Sequence, residues 1–224
     1  MTICIIPARS GSKRIKNKNI QKINGTPLIG ITIEIAKKSG LFKRIVVSTD
    51  CPKISSIAKK YGAEVPFLRD KKLSNDHAST FSVLKDVVKK LKIIDEYFFC
   101  IYPTAIMLKK KYLVEAYLKI KKNKFDGLIA IKKFESNPHR GFKVKKNKLI
   151  NIDAKFFRAR SQDLPNLYHD TGTFYIFKTI KYLLSDQKLM KKTTYYELDF
   201  FSGIDINTIE DLKFARMSYN YLKK

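Results

Sequence analysis

Short continuous apolar runs alternate with stretches in which apolar residues recur every three or four positions, and this rhythm holds from the start of the chain to Ile131. Ile3-Cys4-Ile5-Ile6 reads as a strand covered on both faces, ended by Pro7. The turn residues Asn24-Gly25-Thr26-Pro27 precede a helical pattern through Ile29, Ile31, Ile33 and Ile35 that stops near Gly40. Ile45-Val46-Val47-Ser48 is the core of a second strand, and Pro52 opens a helix through Ile54, Ile57, Ala58 and Tyr61 that Gly62 ends. After a short extended piece, Val65–Leu68, and a polar stretch from Arg69 to Thr80, a helix presents Phe81, Leu84, Val87, Val88 and Leu91 on one face. Ser79, Thr80 and Ser82 are its candidate caps. Tyr97–Tyr102 is the next strand, Lys109-Lys110-Lys111 opens a helix running to about Lys122, and Asp126–Ile131 is a further strand. Repeated βα units of this kind predict a largely parallel sheet with right-handed connections.

The rhythm breaks between Phe134 and Gln162. Phe142–Val144 and Leu149–Ile152, separated by Lys146-Asn147, predict an antiparallel hairpin, and an apolar arm there is a candidate dimer contact. Tyr168–Lys178 predicts another strand. Ile204-Asp205-Ile206 reads as the end of a last strand, followed by an amphipathic helix through Leu212, Phe214, Ala215, Met217 and Tyr221. With no internal repeat and no long linker, residues 1–224 are expected to form a single domain.

Composition adds limits. Hydrophobic residues make up 44% of the 224 and charged residues 29%, which is ordinary for a folded soluble chain and excludes extensive disorder. No apolar run approaches the roughly 18 to 20 residues of a membrane span, and no leader pattern precedes Ile3, so a cytoplasmic protein without membrane association is expected. Cys4, Cys51 and Cys100 are scattered and read as core residues or free thiols. The formal charge of +26 raises nucleic acid as a partner. The lysines, however, are spread along the whole chain instead of clustering, which argues for electrostatic steering of a small anion and against specific nucleic-acid binding.

Candidate chemistry concentrates at the two ends of the chain. The first strand runs into Ala8-Arg9-Ser10-Gly11-Ser12-Lys13-Arg14 and on to Lys16, Lys18 and Asn19, small and basic residues at the place where α/β proteins hold phosphates. Ser12 separates Gly11 from Lys13, so the strict P-loop pattern is not met, and a basic surface turn is the other reading. Arg9, Ser12, Lys13, Lys18 and Asn19 together have the charge and donors to orient a triphosphate, whose displacement places negative charge on the departing pyrophosphate. A hard cation such as Mg²⁺ needs only one or two carboxylates when phosphates and water supply its other ligands. Asp205 is the candidate, its alternative being a helix cap or surface turn.

The whole set resembles a known family. Ile6-Pro-Ala-Arg-Ser-Gly-Ser-Lys-Arg through Lys18-Asn19, Ile45-Val-Val-Ser-Thr-Asp50, Leu73-Ser-Asn-Asp-His-Ala-Ser-Thr80, Tyr102-Pro-Thr104 and Ile204-Asp-Ile206 are similar, in the same order, to segments of the CMP-sialic acid synthetase (acylneuraminate cytidylyltransferase) family. Ser12-Lys-Arg-Ile-Lys-Asn-Lys-Asn-Ile20, Pro138-His-Arg140, Arg160-Ser-Gln-Asp-Leu164 and Leu167-Tyr-His-Asp-Thr-Gly172 resemble the branch that activates pseudaminic acid. The resemblance implies a Rossmann-like nucleotidyltransferase fold of the GT-A type, with a mixed, mainly parallel sheet. It also implies a homodimer whose protruding arm, approximately residues 134–170, helps complete the neighbouring sugar pocket.

Carried over residue by residue, it implies a CTP site at Ala8, Arg9, Ser12, Lys13, Lys18 and Asn19, with Arg69, Ala78 and Thr80 at the cytosine and ribose. Arg9, Lys18 and Asp205 are the implied catalytic residues. Tyr102, Arg160, Gln162, Tyr168, His169 and Asp170 are the implied contacts to a nonulosonic acid. Tyr102 departs from a Gln found in many sialic acid enzymes. Mg²⁺ is expected at Asp205 and Asn207, where Asn207 stands in place of the family's second Asp and offers an oxygen without charge. His77 reads as a solvated loop residue and His139 as a turn residue, while for His169 sugar contact and packing both stand. Sialic or legionaminic acid as the sugar, a non-catalytic nucleotide-binding relative and a polyanion binder are the alternatives.

Overall fold

The computed structural model describes residues 2–185 and 191–222. The strands are β1 (Thr2–Pro7), β2 (Lys22–Ile23), β3 (Thr26–Pro27), β4 (Phe42–Ser48), β5 (Tyr97–Ile101), β6 (Gly127–Lys133), β7 (Phe142–Lys145), β8 (Lys148–Asn151), β9 (Tyr168–Lys178) and β10 (Thr193–Glu197). The helices are α1 (Leu28–Lys38), α2 (Pro52–Lys60), α3 (Thr80–Lys90), α4 (Lys110–Asn123), α5 (Ala154–Phe157), α6 (Thr179–Leu184) and α7 (Ile209–Leu222). Six strands form the main sheet in the order β10-β6-β9-β5-β1-β4. β1 runs parallel to both β4 and β5, and β10 parallel to β6, whereas β9 is antiparallel to both β5 and β6.

Alternation along each strand builds two cores, one per face of the sheet. Cys4 and Ile6 of β1, Tyr97, Phe99 and Ile101 of β5 and Phe174 and Ile176 of β9 face α1, α2 and α4, meeting Ile29, Ile33, Ala58, Leu113, Ala116 and Ile120. Their neighbours Ile3, Ile5, Phe98, Cys100, Tyr175 and Phe177 face α3 and α6, meeting Leu84, Val87, Val88 and Tyr182. The continuous apolar runs are therefore continuous because both faces of the sheet are covered. Cys4 and Cys100 are buried and Cys51 is half-buried, with no disulfide among the described residues. Four helices carry a pair of lysines in the last turn, at 37–38, 59–60, 89–90 and 121–122, where cations complement the helix dipole. Part of the excess positive charge thus sits at helix ends.

A third, smaller core joins the ends of the chain. Ile15 from the basic loop, Ile23, Leu28, Ile31, Ile106, Met107, Ile206, Leu212 and Ala215 pack together. Here the structure differs from the sequence reading: residues 198–208 form turns and extended coil, with no strand at Ile204-Asp205-Ile206. Ile206 is buried by packing under α7 rather than by a sheet ladder. The last strand is instead β10, whose half-exposed Thr-Thr-Tyr-Tyr-Glu lacks the apolar run of a central strand. On α7 only Leu212, Ala215 and Ser218 are buried, while Phe214, Met217 and Tyr221 are exposed, so the helix is rotated from the face its large apolar residues suggest.

The turn leading to Asp205 is fixed by Asp199. Its carboxylate accepts from Ser202 N at 2.7 Å, from Lys109 Nζ at 2.6 Å and from Tyr112 Oη at 2.6 Å, and Ser202 Oγ donates to Met107 O at 2.9 Å. Burial works to raise the Asp199 pKa, but these donors outweigh it and hold the carboxyl below the usual range. Between β6 and β9 in the chain, β7 and β8 pair as a separate two-stranded hairpin, turning at Lys146 and Asn147 with φ of 48° and 61°. Val144 and Leu149 on it are 74% and 67% exposed.

Two stability predictions follow from this packing. Phe98 is fully buried, its ring 5.6 Å from Phe177 and 5.1 Å from Tyr182. Phe98→Ala should cost about 3 to 5 kcal/mol, measured as a lowered urea midpoint. Asp199→Asn should cost about 1 kcal/mol at pH 7, given the partial exposure of the carboxylate. A depressed folded pKa stabilises above the unfolded value of about 3.9 and is lost as pH falls through the folded value. The gap between wild type and Asp199→Asn should therefore narrow when the midpoints are compared at pH 3.

Candidate active site

β1, β4 and β5 end on one side of the sheet, and a cleft of ≈460 Å³ opens there, the place where α/β sheets bind ligands. The loop after β1 is held open by its own polar groups. Ser10 donates to Asp50 twice, from N at 2.8 Å and from Oγ at 2.6 Å, and Asp50 follows β4. Ser12 N closes a tight turn onto Ser10 O at 2.8 Å. Asn17 takes a left-handed conformation at φ 55°, which asparagine tolerates, and a single 3-10 turn over Lys18–Ile20 follows. Asn19, buried, donates from Nδ2 to Arg9 O at 2.9 Å. Lys18 Nζ crosses to the other end of the chain and donates to Ile206 O at 2.7 Å. Desolvation pushes the Lys18 pKa down, and Asp205 partly offsets it.

Arg9, Ser12, Lys13, Lys18 and Asn19 line the cleft from this loop, Arg69 and Ala78 line it from the segment before α3, and Thr80 from the first position of α3. Tyr102 and Asn207 complete the expected residues on the lining. Ala8 lies beneath it: the residue is fully buried and its N–H is used by Ser48 O at 2.9 Å. The Arg69 guanidinium is buried, donating from Nε to Ser48 Oγ at 3.1 Å and from Nη2 to Ser48 O. Burial lowers its pKa to about 10, with Asp50 acting in the opposite direction, so it remains a cation at neutral pH.

The turn before α7 brings Asp205 and Asn207 to the edge of the cleft. A capping box sets that turn: Asp211 accepts from the N–H groups of Asn207 and Thr208 at 2.9 and 2.7 Å, and Asp211 N donates back to Thr208 Oγ1 at 3.2 Å. Asn207 Nδ2 donates to Asp205 Oδ2, and Asn207 Oδ1 accepts from Arg14 Nη2 at 2.7 Å. In this arrangement Asn207 steers the Asp205 carboxylate and links it to the basic loop. Asp205 is open to solvent, yet the protein around its carboxyl raises the pKa by desolvation, against the Asn207 hydrogen bond and the Lys18 charge. Among the described residues no three His, Cys, Asp or Glu side chains converge.

The residues expected at the sugar divide into two groups. Tyr102 Oη and Thr80 Oγ1 share a hydrogen bond of 2.7 Å, and the Tyr102 ring meets Tyr175 edge-on at 5.8 Å. Tyr175 Oη in turn donates to the Asp170 carboxylate at 2.7 and 2.8 Å. Desolvation raises the pKa of both phenols, which keeps them as donors. β9 bulges against β6 between Asp170 and Tyr175, with Gly172 at φ 60°, so close to Asp205 that a Cβ would lie 3.5 Å from Oδ2. Asp170 and Asp205 thereby both lie near Tyr102, although neither is on the cleft lining itself. Tyr168 stacks on Tyr195, and His169 packs on Phe134 at 4.9 Å with Nδ1 3.1 Å from Asp170 O. Arg160 and Gln162 are exposed on the arm and do not line this cleft.

Four residues that shape the site were not singled out from the sequence: Asp50, which holds the loop; Arg14, which holds Asn207; Tyr175, which holds Asp170; and Asp76. Asp76 lines the cleft and pairs with Arg9 at 2.9 Å and with Lys13. An acid in a polar stretch opposite a basic loop was the available signal. His77 is exposed, and His139 Nδ1 lies 3.1 Å from Asp153, as turn residues do.

Comparison with known proteins bears on this geometry. A model of the cytidylyltransferase family matches residues 3–223. A pseudaminic acid cytidylyltransferase of Campylobacter jejuni subsp. jejuni serotype O:2 is 41% identical over 222 residues, spanning 97% of this chain and 95% of the relative. The CMP-N,N'-diacetyllegionaminic acid synthase of the same organism is 35% identical over 219 residues, spanning 94% and 92%. The solved structure of a CMP:2-keto-3-deoxy-manno-octonic acid synthetase complexed with CTP superposes with a TM-score of 0.74 at 15% identity, covering 99% of both chains, and thus shares the fold. A match over nearly the full length, with two relatives above 30% identity, makes this chain a member of the cytidylyltransferase family.

Proposed function

We propose that this chain joins CTP to pseudaminic acid, forming the CMP-sugar and pyrophosphate. The oxygen of the sugar's anomeric hydroxyl attacks the α-phosphorus in line, the bond to the β-phosphate oxygen breaks, and the hydroxyl proton is released. The observation that carries this reading is that the loop cations Arg9, Lys13 and Lys18 share one cleft with Arg69, Ala78, Thr80 and Tyr102. Support for the sugar comes from the 41% identity to a pseudaminic acid cytidylyltransferase.

In this reading Arg9, Ser12, Lys13, Lys18 and Asn19 orient the triphosphate and stabilise the charge that grows on pyrophosphate. Arg69 and the backbone near Ala78 and Thr80 face the cytidine. Asp170, held rigidly by Tyr175, presents its carboxylate at the sugar end beside Tyr102. The Asp205 carboxylate fits Mg²⁺ as a single protein ligand, since this cation keeps several waters and takes phosphate oxygens. When bound there, Mg²⁺ would polarise the phosphates and screen their charge from the incoming hydroxyl. Asn207 keeps Asp205 aimed, and its amide gives the site one negative charge fewer than a second aspartate would.

The arm fits a homodimer contact. Phe142, Val144 and Leu149 are exposed on one face of the hairpin, an apolar surface that a second copy can cover. Residues 134–170 then form an extension of a single domain rather than a domain of their own, and Arg160 and Gln162, which lie outside this chain's cleft, are available to a partner's sugar pocket. No helix among the described residues is long and apolar enough to cross a membrane.

Pyrophosphate release from CTP, assayed with pseudaminic, legionaminic and sialic acids side by side, tests the proposal. Turnover should be highest with pseudaminic acid and should stop when EDTA removes the metal. Preference for another acid would overturn the sugar assignment, and CTP binding without turnover on any acid would mark a non-catalytic relative. Asp205→Asn should lower kcat by roughly a hundredfold or more while leaving the urea midpoint near that of wild type. Val144→Asp combined with Leu149→Asp should shift the protein from dimer to monomer in sedimentation velocity.

A further inference from the structure

Asp76 places a carboxylate against two of the cations that the triphosphate requires. Its Oδ1 lies 2.9 Å from Arg9 Nη1 and its Oδ2 pairs with Lys13 Nζ, so each oxygen engages one cation. Arg9 Nη1 also donates to the neighbouring carbonyl, Asn75 O, at 2.9 Å. The turn presenting Asp76 is built by Asn75, whose Oδ1 accepts from the N–H groups of His77 and Ala78, both at 2.9 Å. Ser79 then caps α3 by accepting from Ser82 N at 3.1 Å. One short rigid turn therefore carries both the acid that faces the phosphate loop and the residues Ala78 and Thr80 that face the cleft. Hydrogen bonds from Lys13 and Arg9 hold the Asp76 carboxyl below its usual range, which keeps it an anion at neutral pH.

Building on the cytidylyltransferase reading, we infer that Asp76 is an internal competitor for the pyrophosphate end of the nucleotide: it neutralises Arg9 and Lys13 in the empty cleft, yields to the phosphates of CTP, and returns to those cations as pyrophosphate departs. CTP withstands this competition better than free pyrophosphate for a physical reason. The phosphates of CTP are tethered to a cytidine that binds elsewhere in the cleft, so they reach the two cations at high effective concentration. Once the α–β bond is broken, pyrophosphate loses that tether, whereas Asp76 remains attached to the protein. Solvent-exposed ion pairs are weak, so Asp76 biases release of pyrophosphate without blocking entry of CTP.

Calorimetric titration of pyrophosphate, CTP and cytidine into wild type and Asp76→Asn, with Mg²⁺ present and no sugar, tests this. Pyrophosphate should bind Asp76→Asn about three- to fivefold more tightly, CTP should gain no more than that, and cytidine should bind both proteins equally. Asp76→Ala, which removes the carboxylate without supplying an amide, should show the same shift, and raising the salt concentration should shrink it. Pyrophosphate affinity that is unchanged or weaker in both variants overturns the inference, because the carboxylate would then be neutral to the phosphates or would position the cations for them. That outcome with normal CTP turnover leaves the proposed function standing. Failure of wild type to bind either CTP or pyrophosphate overturns both.

Discussion

The contact on which the rest of the site depends is the hydrogen bond from Lys18 Nζ to Ile206 O, between residues 188 positions apart. A cation is costly to remove from water, and burial lowers the Lys18 pKa accordingly. It is tolerated because the carbonyl accepts from it and because Asp205 lies nearby. The apolar side of the same junction is the small core in which Ile15 and Ile206 pack together with Leu28 and Leu212. Polar and apolar contacts thus close one seam, with the phosphate loop on one side and the carboxylate turn on the other. Neither Asp205 nor the loop cations would face a common ligand without it.

Around that seam, preorganisation comes from short polar contacts in place of regular structure. Ser10 on Asp50, Asn19 on Arg9 O, Asn207 between Arg14 and Asp205, and Asp211 on the turn before α7 each satisfy a donor or acceptor that irregular backbone leaves open. The sheet supplies the fixed frame, since the loop, Asp50 and Tyr102 all follow parallel strands ending on the same side. The antiparallel β9 supplies what a purely parallel sheet would lack. Its bulge at Gly172 brings Asp170 and Asp205 close together beside Tyr102, which lines the cleft.

The parts of this arrangement legible in the sequence are those dictated by local pattern. β1, β4 and β5 announce themselves as apolar runs because both faces of the sheet are covered, and β7–β8 announces itself by Lys146-Asn147, which accepts positive φ. Ordered motifs were enough to pick out most of the residues that line one cleft. Parts that depend on tertiary neighbours were not legible. β10 is a half-exposed edge strand, Ile204-Asp205-Ile206 is buried by α7 without a ladder, and Phe214 and Met217 stay exposed although their spacing suits a buried face. Tyr175 reads as a core aromatic, and only the fold reveals that its hydroxyl ends on Asp170. Ala8 shows the opposite case, a residue in the right motif whose side chain and N–H are both committed to the core.

Charge then explains why acids recur in a site made for anions. With a formal +26, the protein attracts CTP, an acidic sugar and pyrophosphate alike, so attraction alone separates none of them and slows the departure of products. Discrimination has to come from carboxylates set at fixed points within the basic field. Asp50 and Asp211 are consumed by structure, since backbone N–H groups hold them. Asp170 and Asp205 stand beside Tyr102, and in the proposed reaction they meet the sugar and the metal, where a negative charge must be placed with care because the substrates are themselves anionic. Asp76 is the one acid among the described residues of the cleft lining, and it pairs with Arg9 and Lys13. The placement of these five carboxylates, more than the sum of 46 basic residues, sets the local balance of charge around the cleft.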